Sequence, residues 1–329
     1  PAGTAPSPRY GSHAVVDVAR DRMVVYGGDP GAGSSSTQVF ALSLAPGSEA
    51  WTPIVPAAPQ GAPAGRFVGA FGYVGNRESL LVVGGYTSGY RHTTDAWLLD
   101  LSGGETWVPL SDDVGANQGR AHGSAVYDAG RGRMVVFGGL GYQGTARHSM
   151  SFLSTSGTPT WSLPAAPQGA LDSPTERWGA SMVFDTRYMP SGRVVTFGGS
   201  NSTANTNDSW WIDPAAASPA WQRLNPAGTL PPVRGFASSV FDGTPGVERM
   251  IVYGGQAPSG AEYDDVWTLD LSSPGSESWA QVSVSGGPGK RYGAAAIWED
   301  TPGSERLIIQ GGYRSGLRFS DTWALSFSP

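Results

Sequence analysis

The feature that most constrains this chain is a motif that returns six times. Its third copy, Arg120 to Gly139, reads RAHGSAVYDAGRGRMVVFGG: an arginine, small residues, an acidic turn, a basic turn exit, an apolar strand and two glycines. The leading arginines are Arg9, Arg66, Arg120, Arg177, Arg234 and Arg291, at intervals of 57, 54, 57, 57 and 57 residues. The glycine pairs keep step at Gly27-Gly28, Gly84-Gly85, Gly138-Gly139, Gly198-Gly199, Gly254-Gly255 and Gly311-Gly312. Self-similarity at this period marks a propeller or a solenoid, in which one supersecondary unit is stacked on copies of itself. By length alone 329 residues suggest two domains, and a closed array absorbs them in one.

Each repeat reads as four strands. The first follows the arginine and is crowded with small residues, as in Gly123-Ser124-Ala125 and Gly293-Ala294-Ala295-Ala296, which suits a strand converging on a central axis. It ends in an acidic turn at Asp17, Asp128, Asp185, Asp242 and Glu299, with Val74 the exception. The second strand, as in MVVYGG or LLVVGG, reads as buried on both faces. Its glycine pair gives the backbone freedom to turn sharply away. The third carries Asp95, Asp208, Asp265 or Asp321 two residues before a tryptophan, and Gln38 and His148 replace the aspartate in repeats one and three. The fourth carries Trp51, Trp107, Trp161, Trp221 or Trp279, and a proline-rich connection leads to the next arginine. With 48 Gly and 26 Pro, the composition fits short strands joined by tight turns rather than helices.

The leading arginine, the apolar strand closed by Gly-Gly, the Asp-x-Trp and the later Trp together resemble kelch repeats over essentially the whole chain. The flavour is similar to the kelch-repeat proteins of bacteria, related in sequence to the propeller of galactose oxidase. The resemblance implies an all-β fold, a six-bladed β-propeller of four-stranded antiparallel blades around a channel. The blades are expected at about 9–56, 66–111, 120–165, 177–225, 234–284 and 291–329. Because Trp323 belongs to a third strand, the sixth blade lacks an outer strand of its own. Residues outside this segment, or a neighbouring chain, are expected to supply it, since sheets rarely leave such an edge open.

Composition narrows the function. No apolar run is long enough to span a membrane. A first residue Pro1 fits a processed N-terminus, with any targeting peptide upstream. Zero cysteines remove disulfides, thiolate metal sites and thiol nucleophiles. A formal net charge of −6 argues against a nucleic-acid binder, which carries a basic stripe. Lys290 is the only lysine among 21 basic residues, which fits codon bias in a GC-rich genome or a surface for bidentate anion contacts. The four histidines lie in different repeats or loops without metal-ligand spacing, so no metal and no cofactor is expected.

In kelch domains, residues at the arginine position lie near the channel mouth. Six guanidiniums converging there imply a rim that holds anionic ligands; alternatively, each arginine bonds backbone carbonyls or an acid of the adjacent blade. Beside them stand Tyr10, Phe67, Trp178 and Tyr292, suited to sugar rings, anionic ligands or blade packing. His13 departs from the Ala or Ser of other repeats, and His122 from Gly, so both rank as site markers beside His148. The loops after the glycine pairs also differ, with Tyr90, Arg91 and His92 in one and Arg314, Arg318 and Phe319 in another. Loops on a rigid scaffold are where recognition is written.

These residues point to a non-enzymatic, exported scaffold that binds a protein segment or a glycan through its arginine- and aromatic-rich loop face, and to a subunit of a larger assembly. An extracellular or periplasmic location is expected. The alternative is a carbohydrate-active enzyme, sialate mutarotase-like or a sugar lyase, with an arginine-lined central pocket and His13, His122 or Tyr263 as acid or base.

Overall fold

In the computed structural model, which describes residues 1–31, 33–110, 119–164, 173–188, 190–201 and 203–327, six antiparallel blades surround one axis. The inner strands are His13–Asp17, Ala70–Val74, Ser124–Asp128, Ser181–Asp185, Ser238–Asp242 and Ala295–Glu299. Each packs against the inner strands of both neighbours, and the sixth closes on the first. Next to the axis end of these strands stand Ser12, Gly69, Gly123, Ala180, Ala237 and Ala294, where convergence leaves room only for small side chains.

The second strands are the centre of each blade and are buried as read: Val24, Leu81, Val135, Val194 and Val252 are all 0% exposed. Full burial of one such side chain contributes about 1.5–3 kcal/mol. Their faces build cores between blades, as where Ala14, Met23 and Val25 of blade one pack with Ala295, Ile297 and Ile308 of blade six. Third and outer strands follow in order, such as Val266–Asp270 and Ser278–Val282 in blade five. In blades one and five the preceding connection adds a short parallel strand, Ala2–Gly3 and Ala227–Gly228. Blade six has three strands, Ala295–Glu299, Arg306–Gln310 and Thr322–Ser326, and no outer strand among the described residues.

Two backbone devices join the blades. The second glycine of each pair donates its N–H to the carbonyl of the next blade's leading arginine, from Gly28 to Arg66 (2.9 Å) round to Gly312 to Arg9 (2.9 Å). A Cβ on the first glycine would collide with that same carbonyl, so the pair is required. Two residues after each arginine, Gly11, Val68, His122, Gly179, Phe236 and Gly293 share a left-handed backbone with φ of 51–65°. Each donates its N–H to the carbonyl of the equivalent residue one blade back, at 2.6–3.0 Å, and the six bonds form a closed collar across the axis.

The acidic turns explain themselves in the same frame. Asp17, Asp128, Asp185, Asp242 and Glu299 are buried and accept hydrogen bonds from Arg22, Arg133, Arg193, Arg249 and Arg306 across the first hairpin. In blade two, Val74 and Ser79 occupy this same cross-strand position. The missing acid is matched by a missing base.

Candidate functional site

The leading arginines lie inside their own blades, each 0–1% exposed. Every one donates from Nη1 to the carbonyl of the first glycine of its pair: Gly27, Gly84, Gly138, Gly198, Gly254 and Gly311, at 2.8–3.1 Å. In four blades the guanidinium also grips the third-strand carboxylate with both nitrogens, Arg66 on Asp95, Arg177 on Asp208, Arg234 on Asp265 and Arg291 on Asp321, at 2.6–3.0 Å. The same aspartates accept the indole N–H of Trp97, Trp210, Trp267 and Trp323 at 2.6–2.7 Å, which is why the motif reads Asp-x-Trp. Burial opposes ionisation of Asp95, but the hydrogen bonds and charge of Arg66 outweigh it and hold its carboxyl down to about 2. A rim of exposed guanidiniums is therefore not formed, because these side chains bind inward. Blades one and three substitute Gln38, which accepts from Arg9 at 2.7 Å, and Ser149, whose hydroxyl accepts from Arg120 at 3.3 Å. Ser149 rather than His148 takes the aspartate's place; His148 is exposed in the loop before the strand.

Of the acid-base candidates, His13 and His122 both border the axial cavity beneath the collar, while Tyr263 lies away from it. His13 is 0% exposed; its Nε2 accepts the Gly69 N–H of the next blade at 2.9 Å, and its Nδ1 faces the Tyr26 carbonyl at 3.4 Å. Ser124, Ser181 and Ser238 make the same bridge from the same position, donating to the carbonyls of Ala180, Ala237 and Ala294. Burial lowers the His13 pKa to about 4. Tyr263 packs its ring on the Arg234 guanidinium at 4.3 Å, and its hydroxyl reaches the Val233 carbonyl. His122 belongs to the collar, and burial, then His92, lowers its pKa to about 4. No arginine lines the axial cavity beneath the collar.

The structure does bring together the aromatic residues. Ring contacts run from Tyr10 to Phe67 (5.8 Å), Tyr86 (5.7 Å), His122 (5.7 Å), Phe236 (5.1 Å) and Tyr292 (5.8 Å), and back to Tyr10 (6.2 Å). This closed circuit is seated on the collar, on the side of the arginine connections and the loops after the glycine pairs. Tyr313 packs on both Tyr10 and Tyr292, and Tyr90, 54% exposed, stands on Phe67 and Tyr86. Trp178, in blade four, makes no ring contact with the circuit. Burial raises the pKa of Tyr10, with Tyr90 and Asp29 adding to it, and pushes that of Tyr292 up to about 12. These phenols stay protonated at neutral pH and remain hydrogen-bond donors. At the margin, Arg318 bonds the buried Asp29 carboxylate at 3.1 Å and lies 5.5 Å from the rings of Tyr10 and Tyr313. Glu262 accepts the Ser315 N–H at 2.9 Å.

Comparison with known proteins agrees with this architecture. The profile of the KLHDC2/KLHL20/DRC7 Kelch-repeats domain matches residues 189–328. Putative adagio-like protein 2 of Oryza sativa subsp. japonica is 29% identical over 257 residues, covering 74% of this chain and 38% of that protein. Adagio protein 3 of Arabidopsis thaliana is 28% identical over 204 residues, covering 60% and 31%. The chain thus spans about a third of the length of these relatives. The structure of YjhT superposes with a TM-score of 0.70 at 15% identity, over 97% of this chain and 95% of that one. The extracellular or periplasmic location expected from the sequence is corrected: the adagio-like relatives are plant proteins and lend no support to a bacterial, exported chain. An absence of cysteine suits a reducing compartment equally well. No helix among the described residues is long and apolar enough to cross a membrane. The repeats and the blades they build make this chain a six-bladed β-propeller, and its repeats are similar to those of the matched Kelch-repeats domain.

Proposed function

We propose that the propeller is a non-enzymatic scaffold that holds a segment of a partner protein against the aromatic circuit of its loop face. The carrying observation is the closed ring of Tyr10, Phe67, Tyr86, His122, Phe236 and Tyr292 on a hydrogen-bonded backbone collar. Large rings on a rigid support supply contact area at small ordering cost, and aromatic anchors dominate protein interfaces. The phenols donate to the backbone carbonyls of a guest. Since the leading arginines are committed inward, the platform favours an apolar or aromatic-bearing extended segment over an acidic one. The test is a peptide array followed by titration of the hits against the wild type, Tyr10→Ala and Tyr90→Ala. Each variant is expected to weaken binding about tenfold or more, the exposed Tyr90→Ala with an unchanged melting temperature and Tyr10→Ala, which also loses ring packing, with a lowered one. The affinity should vary little with salt. Binding indifferent to both substitutions, or a glycan in place of a peptide, defeats this reading.

We propose as well that blade six takes its outer strand from residues outside this segment or from a neighbouring chain. In other blades the outer-strand indole packs on a second-strand ring of the preceding blade: Trp107 on Tyr26 at 4.9 Å, Trp221 on Phe137 at 4.8 Å, Trp279 on Phe197 at 4.7 Å. The equivalent ring for blade six is Tyr253, which lines an open groove of about 860 Å³ together with Leu307, Trp323 and Leu325. Trp323 is 40% exposed, whereas its counterpart Trp267 is 4% exposed.

A further inference from the structure

The axis holds a second concave surface, on the far side of the collar from the aromatic circuit. Alternate residues of the six inner strands enclose a cavity of about 510 Å³. It widens from the small residues at the collar to a mouth on the side of the acidic turns. Val16, Tyr73, Tyr127, Phe184, Phe241 and Trp298 ring that mouth, one from each blade, all half-buried. Five of the six are aromatic, at the one level of the inner strand where the blades have diverged enough to admit large side chains.

Three properties define what fits. Among the described residues no Asp, Glu, Lys or Arg lines the cavity; the nearby turn acids are turned away into their arginine pairs. The hydrogen-bonded collar narrows one end, so the wider mouth on the side of the acidic turns is the way in. The volume lies within the roughly 300–1,000 Å³ of small-molecule sites, and water in such an apolar space finds few partners and is displaced easily. Polar anchoring comes from the hydroxyls of Ser239 and Tyr73, which have no hydrogen-bond partner among the described residues, while the Tyr127 hydroxyl bonds Asn76 at 2.7 Å.

We propose that this cavity binds a small, uncharged, ring-bearing apolar molecule entering from the turn-side mouth. The mouth of the cavity lies on the far side of the collar from the partner-binding face. Of the circuit residues only His122 and Phe236 also border the cavity, so variants near the mouth test this site without touching the other. The test uses the neutral fluorescent probe N-phenyl-1-naphthylamine with the full chain. Saturable, single-site enhancement is expected. Ser239→Trp and Ala296→Leu, which fill the cavity from different blades, should each weaken binding about tenfold or more, and Tyr90→Ala on the opposite face should leave it unchanged. A readout that needs no substitution is the methyl resonance of Met182, which lines the cavity: it should shift on probe addition, while those of the fully buried Met23 and Met250 stay put. Absence of saturable binding, or a bound probe that leaves Met182 unmoved, overturns the proposal.

Discussion

At the scale of single residues, the departures from the repeat divide into those that serve the fold and those that serve the face. His13 belongs to the first kind. It makes with an imidazole the interblade bridge that Ser124, Ser181 and Ser238 make with a hydroxyl. Acceptance of the Gly69 N–H requires the ring to be neutral, and burial lowers its pKa from an ordinary 6.5 to about 4. A base depressed in this way contributes its full stability above pH 6.5, and that contribution is lost as the pH falls towards 4, because the unfolded chain then binds the proton the native chain refuses. For His13 the loss is on the order of 3 kcal/mol. His13→Ser is expected to fold, and its melting temperature should drop distinctly less than the wild type's between pH 7 and pH 4.5. An equal drop in both proteins would assign the acid sensitivity elsewhere.

At the scale of the elements, the hairpin between the first and second strands carries a buried ion pair in every blade but the second. There Val74 faces Ser79 where the others place Asp or Glu against Arg. Each buried charge needs its partner, so Val74→Asp or Ser79→Arg alone should cost about 3–5 kcal/mol, and the double variant should recover most of it. Denaturant melts of the four proteins measure that coupling; additive losses would show that blade two lacks room for the pair. The missing acid at Val74 was legible in the repeat, whereas its missing partner at Ser79 shows only in the cross-strand register. The strands, the glycine pairs and the blade number were legible for the same reason, a period that six copies enforce; the hydrogen bond by which each pair clasps the next blade was not. The arginines were legible only as one of two alternatives: the sequence reading allows bonds to backbone carbonyls but places the acid in the adjacent blade, whereas it lies about thirty residues on in the same blade. The aromatic circuit was not legible, because it draws on three different positions of the repeat: Tyr10, Phe67 and Tyr292 beside the arginine, His122 and Phe236 one residue later, and Tyr86 after the glycine pair. No single column of the repeat carries it.

At the scale of the whole molecule, the ring closes between elements far apart in the chain. Blade six joins blade one by the Gly312 to Arg9 clasp (2.9 Å) and the Gly11 to Gly293 collar bond (2.8 Å), as at every other junction. The Arg306–Glu49 ion pair (2.9 Å) and the Trp51 to Thr322 hydrogen bond (3.2 Å) add side-chain links. What distinguishes this junction is the edge of Thr322–Ser326, unpaired among the described residues, with the groove at Tyr253 beside it. Local opening follows unpaired backbone and thin packing, so unfolding should begin there. In this chain the outward amides of Thr322–Ser326 are expected to exchange with solvent far faster than those of Val266–Asp270, which lie between two strands. A peptide copying residues 276–284, the outer strand of blade five with its Trp279, should slow that exchange and raise the melting temperature; the same peptide with alanine for Trp279 should do neither. Equal protection by both peptides would mean that backbone pairing alone fills the edge and that the groove at Tyr253 is no indole seat. Edge amides already as slow as those of blade five would mean that the blade needs no fourth strand.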